Sequence, residues 1–335
     1  MLLFAAENWN GSNCRLEISY DETSDCFRVK QPVEVQPDYV EQLRQVEFPS
    51  HTPSENAESE DRVAAIDVGA NNTLTIITDT GDARIYHARP QFHHFQANYE
   101  HIATLQSHLP PDTYSSRRIR RKYGETYGQR DHHRDAAIKS AMQWLRSEGV
   151  DTVYVGDLSD VLDTHWCAEV NTKTHNYWSH GQVTEKLDET GTLAGVNVEE
   201  VSEAGTSSQC PCCGSDDVCR DGDELSCREC SVESHADIVG AALILEGEAD
   251  VAVSEWFESE SVRPMARPAP RRAERCRDGD QYTVTYLQWD DHEWTPLLSE
   301  SVGTLGSFDQ RGVSKPASSK EATAGCVANE GIPRL

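Results

Sequence analysis

Two Cys-x-x-Cys pairs, Cys210-Pro211-Cys212-Cys213 and Cys227-Arg228-Glu229-Cys230, are separated by thirteen residues. Four thiolates presented by two such knuckles close on one tetrahedral zinc, and this spacing is that of a zinc ribbon. Gly214 suits the turn after the second ligand. Cys212 and Cys219 are surplus thiols, and Cys212 competes with Cys213 as a ligand. Six of the eleven cysteines lie between Cys210 and Cys230, and the other five are scattered, which points to a metal site and not to a disulfide framework. A redox dithiol pair is the alternative, and two knuckles at ribbon spacing fit it poorly.

The charge balance narrows the setting. The 335 residues carry 30 Lys and Arg against 57 Asp and Glu, a net charge of −27, and only seven of the cations are Lys. Such a surface suits concentrated salt, where self-repulsion is screened. An acidic protein with disordered tails is the plainer alternative. No apolar run approaches the ~18 residues that cross a bilayer, and Met1–Ala6 lacks the basic start of a signal peptide. A cytoplasmic location with no membrane partner is therefore expected. Strong negative charge ordinarily opposes nucleic-acid binding, whose affinity comes largely from neutralised phosphates. Two local patches run against it. Arg117, Arg118, Arg120, Arg121, Lys122, Arg130 and Arg134 face only Glu125 and Asp131 within their stretch, and six Arg between Arg263 and Arg277 face only Glu274. The first patch is expected to contact nucleic acid, with a solvated helix face as the alternative.

Alternating residues at Cys14–Tyr20 and Cys26–Lys30 around the turn 21–25 predict a β-hairpin. Val63–Val68, Leu74–Ile77 and Arg84–Tyr86 predict a three-stranded meander, and 114–147 a long helix. Thr152–Val155 predicts a buried strand, 171–187 a helix, Val196–Val201 a strand, and Ile238–Leu245 an apolar closing helix. That order is ribonuclease H-like. A short strand is possible at Tyr282–Leu287, with little other order expected from Glu246 onward.

Asp67 interrupts an apolar strand, where a carboxylate costs free energy unless it is paired or holds a metal. Capping of the Gly69 turn is its ordinary reading. Asp237, at the start of the closing helix, is a candidate partner, since two-metal phosphodiester cleavage needs converging carboxylates. Its ordinary reading is an acidic residue favoured by the helix dipole.

These segments together resemble a known family. Ile66-Asp67-Val68-Gly69-Ala70-Asn71-Asn72 resembles the first RuvC motif of the transposon-encoded OrfB/TnpB proteins, and Trp178-Ser179-His180-Gly181-Gln182 their helix signature. Thr206–Gly214 resembles the approach to their zinc ribbon, and His235–Ala242 their third RuvC motif. The resemblance implies RNA-guided, Mg²⁺- or Mn²⁺-dependent DNA cleavage, with DNA and a guide RNA as partners. It assigns Asp67 and Asp237 as catalytic magnesium ligands, and Cys210, Cys213, Cys227 and Cys230 as ligands of a structural zinc.

Three departures accompany it. Where the family's second motif has a catalytic Glu, Val153-Tyr154-Val155-Gly156-Asp157-Leu158 has Gly156, which leaves Asp157 as the only nearby substitute. On a strand, position 157 faces away from whatever 156 faces. Val239 stands where Asn is usual, and the amino-terminal region is short for the family. The expected fold is α/β: a ribonuclease H-like (RuvC-like) core with an inserted zinc ribbon, a small N-terminal β-hairpin remnant and a largely disordered C-terminal tail. The expected division is 1–47 as the remnant of a β-barrel domain, 48–61 as linker, and 62–205 as the first part of the core. Residues 206–233 form the ribbon, 234–247 the closing helix, and 248–335 the tail. The expected function is that of a transposase-family, nucleic-acid-binding protein with impaired cleavage. The alternative is a nuclease-dead binding protein or a decayed transposon remnant.

Overall fold

A strand covered on both sides must be apolar on both faces, as Val63-Ala64-Ala65-Ile66 is. It forms β3 (Arg62–Asp67), one strand of a seven-stranded mixed sheet. The structure, a computed structural model, describes residues 17–21, 26–30, 37–49, 61–69, 71–157, 177–178, 180–202, 208–249, 251–257, 283–290 and 292–297. β4 (Asn72–Thr78) and β5 (Asp82–His87) continue from β3 as an antiparallel meander. β6 (Val150–Asp157) then pairs parallel with β3, and β7 (Asn197–Ser202) pairs parallel with β6. The spatial order β5-β4-β3-β6-β7 is the ribonuclease H-like arrangement expected. Two further strands extend it beyond β5: β11 (Thr283–Asp290), parallel to β5, and β12 (Glu293–Pro296), antiparallel to β11.

The sheet carries helices on both faces. Ala64, Ile66, Leu74, Ile76, Val153 and Val155 pack against α3 (Arg117–Ser147) and α4 (His180–Ala194). Ala65, Ile77, Ala83 and Ile85 pack on the other face against α5 (Ala236–Glu248), a helix apolar nearly all round. Between β7 and α5 sits the ribbon, a three-stranded sheet of β8 (Val218–Asp221), β9 (Glu224–Cys227) and β10 (Glu233–His235) in the order β10-β9-β8. Leu225, Cys227 and Val232 join the core on the α5 side, which seats the ribbon against that face.

Several boundaries differ from the sequence reading. β1 (Glu17–Asp21) and β2 (Cys26–Lys30) form the hairpin, and its apolar side chains Ile18, Tyr20, Phe27 and Val29 are exposed. A helix unforeseen from sequence, α1 (Pro37–Glu47), follows it. It docks on the core, with Arg44 donating to the Leu193 and Thr192 carbonyls and Phe48 buried among the core residues. Residues 37–47 of the segment expected as remnant, and Phe48, the first residue of the expected linker, thus pack against the core. A second unforeseen helix, α2 (Arg89–Ser107), packs on α3 through Phe95 and Tyr99, while Phe92 meets Tyr177. In the expected tail, α6 (Ser254–Phe257) buries Trp256 and Phe257, and the possible strand is present and longer than expected. The Arg263–Arg277 patch lies outside the described residues.

Candidate metal centres and the basic helix

The Sγ atoms of Cys210, Cys213, Cys227 and Cys230 lie within 4.8 Å of one another. Cys210 and Cys230 approach to 3.4 Å, and Cys213 and Cys227 to 3.7 Å. A tetrahedral zinc with Zn–S bonds of about 2.3 Å needs S···S separations of about 3.8 Å, so this set fits a zinc. Gly214 takes φ +68°, a turn that a side chain would strain, and its N–H donates to the Cys210 carbonyl. Cys212 is outside the four-thiol group.

Asp67 ends β3 on the face that carries Ala65, beneath α5. The fit there is close: a Cβ on Gly240 would sit 3.0 Å from Asp67 Oδ2, so a larger residue would press the carboxylate aside by a few tenths of an ångström. Asp237, one turn earlier on α5, is buried. Its Oδ2 accepts from Asn72 Nδ2 at 2.8 Å, and its Oδ1 accepts from Arg220 of the ribbon at 2.8 Å. His87 lies behind Asn72, with Nδ1 3.1 Å from Asn72 Oδ1. Thr75, paired with Asp67 across the β3–β4 ladder, is 1% exposed, and its Oγ1 has no hydrogen-bond partner among the described residues. Such a hydroxyl costs about 1–3 kcal/mol unless something polar lies against it. Two carboxylates with a buried hydroxyl beside Asp67 make an oxygen donor set that fits a hard divalent cation.

β6 contributes no carboxylate to this face. Val153 and Val155 belong to the α3 side, so alternation puts Tyr154 and Gly156 on the Asp67 side and Asp157 on the α3 side. The parallel ladder with β7 runs unbroken through Gly156↔Val201 to Asp157↔Ser202, so no turn at Gly156 re-aims the strand. Asp157 is exposed, and the alternation of β6 turns it to the side opposite Asp67. On that side, Glu185, Asp188 and Glu200 line an open cavity of about 320 Å³ with Val155, Thr184 and Val198.

The seven cations of the basic stretch divide in two. Arg117, Arg118 and Arg121 are exposed at the start of α3, with Arg120 and Lys122 half-buried. Ser116 caps this end by accepting from the Ile119 N–H, and the first turn holds no acidic residue. Arg130 and Arg134 face inward instead, with side chains only 9% and 14% exposed. Arg130 pairs with Asp131, Arg134 pairs with Asp131 and Asp135, and both donate to Gln182 of α4. In this structure these two fasten α3 to Gln182 of α4.

Three residues near Asp237 were not singled out from sequence. Asp223, in the β8–β9 turn, lies with His235 and Asp237 in one group whose ligand atoms are all within 4.8 Å. Arg89, at the start of α2, donates to Asp223 Oδ1 at 2.6 Å. His235 caps α5 by accepting from the Asp237 N–H. Its imidazole is held below the usual range by burial, with Asp237 and Asp223 pulling the other way. His87 is lowered too, by burial and then by Arg89. In sequence Asp221-Gly222-Asp223 reads only as a turn, and nothing local announces that the turn reaches α5.

Comparison with known proteins returns two family profiles along the chain. Residues 30–162 match the family described as a probable transposase (OrfB_IS605), and residues 180–244 match the Cas12f1-like TNB domain. No curated protein matches. Among solved structures, a Cas12f1–sgRNA–target DNA complex is 14% identical with a TM-score of 0.44, covering 56% of this chain and 50% of that one. A CRISPR-Cas12f ternary complex is 14% identical with a TM-score of 0.44, covering 66% and 42%. The mini-RNA-guided endonuclease Cas_phi3 is 14% identical with a TM-score of 0.38, covering 68% and 48%. The chain spans about half the length of these proteins or less.

Proposed function

We propose that this chain, which resembles the OrfB/TnpB-like proteins over residues 30–162 and 180–244, binds nucleic acid through the start of α3 and carries a weakened metal-dependent phosphodiester-cleaving centre. The observation that carries this reading is the placing of Asp67 and Asp237 on one face, around the Gly240 cradle and the orphaned Thr75 hydroxyl. Asp67 and Asp237 would hold Mg²⁺ or Mn²⁺, which when bound supplies positive charge to a phosphodiester and acidifies a water. Asn72 holds the Asp237 carboxylate in one orientation, and His87 in turn fixes the Asn72 amide. Zinc at Cys210, Cys213, Cys227 and Cys230 would be structural.

The start of α3 supports an anionic partner. Cations at a helix N-terminus oppose the macrodipole, yet Arg117, Arg118, Arg120 and Arg121 gather there in an acidic chain. By the family resemblance that partner is DNA together with a guide RNA, in a transposon-associated role. Among the described helices none is long and apolar enough to cross a membrane. The net charge of −27 supports a protein adapted to concentrated salt.

A second reading, binding without cleavage, is favoured by the bare β6 position at Gly156. One experiment separates the two. The chain is purified in molar KCl, co-purifying RNA is sequenced, and a DNA duplex matching it is offered with Mn²⁺. Binding with slow cleavage by wild type is expected, with cleavage raised at least tenfold in Gly156→Glu and lost in Asp237→Asn. Binding with no cleavage even by Gly156→Glu selects the second reading, and failure to bind RNA or DNA rejects both.

A further inference from the structure

The cations at the start of α3 share their helix with a set of aromatic rings. β6 follows α3 directly and begins level with Arg62, so α3 runs back along β3 and its first half lies toward the sheet end that carries Asp67. Its residues in the sheet core run from Ala137 to Leu145, and the turns from Arg117 to Ala137 add about 30 Å of helix. α2 leaves the same end of the sheet, because it follows β5 and β5 lies parallel to β3 across β4. Steps of three or four residues place Arg117, Arg120, Tyr123, Tyr127 and Arg130 in one row along α3. The Arg130 guanidinium lies 4.7 Å over the Tyr127 ring, and Tyr127 and Tyr123 are stacked with centroids 6.1 Å apart and 23° between planes. From α2, Tyr99 meets Tyr123 edge-on at 6.4 Å. Towards the core the rings are those of Phe92 and Phe95, both buried, whereas the three Tyr keep part of their surface in solvent.

We propose that Tyr123, with Tyr99 and Tyr127 beside it, stacks on unpaired bases of a single DNA strand whose phosphates lie along Arg117 and Arg120. This rests on the reading that the start of α3 binds nucleic acid, and adds what part of the nucleic acid is read there. Tyrosines at the solvent edge of a helix pair are ordinary amphipathic packing. Here they stand in line with cations, and a ring face beside a phosphate-binding charge is what a single strand requires. A duplex keeps its base faces covered, so these rings can stack only on a strand that is unpaired. The local charge agrees: between residues 90 and 129 the Lys and Arg outnumber the Asp and Glu by five to three, in a chain whose net charge is −27. The occupant is DNA because the two helices leave the sheet at the end where Asp67 lies, so a strand held on them is led toward the candidate metal centre. Stacking also releases no counterions, and so it persists where salt weakens the ionic contacts.

The test is binding of the full chain to labelled oligo-dT, oligo-rU and a hairpin DNA duplex, read by fluorescence anisotropy across a KCl series without Mg²⁺ or Mn²⁺. Melting temperature is recorded for every variant. Tyr123→Leu is expected to weaken oligo-dT binding about tenfold at every salt concentration, with the salt slope unchanged and duplex binding held within about twofold. Tyr123→Phe keeps the ring face and is expected to restore oligo-dT binding. Should Tyr123→Leu fail to fold, the wild-type chain carries the test. Irradiated with oligo-dT containing 5-iodouracil, it is expected to cross-link at Tyr99, Tyr123 or Tyr127. Equal losses on oligo-dT and duplex in Tyr123→Leu overturn the proposal, because the ring would then serve only to pack α2 on α3. A loss confined to oligo-rU overturns it in favour of RNA. Unchanged oligo-dT affinity in Tyr123→Leu, or cross-links that fall only elsewhere, also overturn it. If replacing Arg117, Arg118, Arg120 and Arg121 by Ala still weakens binding, the reading of α3 stands without the stacking. A wild-type chain that binds neither strand nor duplex overturns that reading itself.

Discussion

His133 shows how a single side chain ties this molecule to pH. It is buried on α3 against Trp289 and Trp294 of the β11–β12 hairpin, and its Nε2 has no hydrogen-bond partner among the described residues. Burial, and then the neighbouring His132, lower its pKa to about 3. The unfolded chain takes a proton near pH 6.5 that the folded chain refuses, so stability is full above that pH and falls as pH drops toward 3. The slope approaches about 1.4 kcal/mol per pH unit for this one group. We expect His133→Leu to melt below wild type at pH 7.5 and to close or reverse the gap at pH 4.5. A gap of constant size would mean that His133 does not titrate between the two states. His133 was silent in the sequence because nothing local tells a buried imidazole from a surface one. Asp67 and Asp237 stood out because a carboxylate amid apolar neighbours is costly wherever it lies. Asp223 did not, since Asp-Gly-Asp is ordinary turn chemistry and its partner Arg89 is far away in the chain.

At the scale of elements, α3 does two jobs along its length. Its middle is locked to α4 by Arg130 and Arg134 through Gln182, and its first turns present cations to solvent. Replacing Arg117, Arg118, Arg120 and Arg121 together by Ala should weaken nucleic-acid binding across all sequences and flatten its salt dependence by up to about four counterions' worth. The melting temperature should hold or rise, since the change removes cations from the positive end of a helix. Unchanged salt dependence would reduce this stretch to a solvated surface. The three meander strands, β6, β7, α3 and α5 were legible because their periods are clean. The helices α1 and α2 were not recognised, although Pro37 and Pro90 stand in their first turns and Phe92, Phe95, Tyr99 and Ile102 recur at helical spacing. His, Gln and Asn between those positions dilute the contrast on which periodicity depends. β12 is four residues long, and its place is set by pairing with β11 rather than by local preference.

For the molecule as a whole, the excess of 27 negative charges sets the conditions under which the fold holds. Screening shortens from ~10 Å at 0.1 M salt to ~3 Å at 1 M, and the self-repulsion of a compact acidic chain falls with it. The unfolding midpoint should therefore climb steadily with KCl over that range, and a flat or falling midpoint would count against the proposed adaptation to salt. The parallel pairing of β11 with β5 bears on something else, the timetable of synthesis. A ribosome releases β5 early and must add about 200 more residues before β11 emerges, tens of seconds at ~5–20 residues per second. Through that interval the nascent meander holds an open strand edge, the kind of surface on which unfinished chains pair with one another. Slow elongation through the ribbon and beyond would lengthen that exposure, and a chaperone able to cover a bare edge has most to offer this protein before its last strands leave the tunnel.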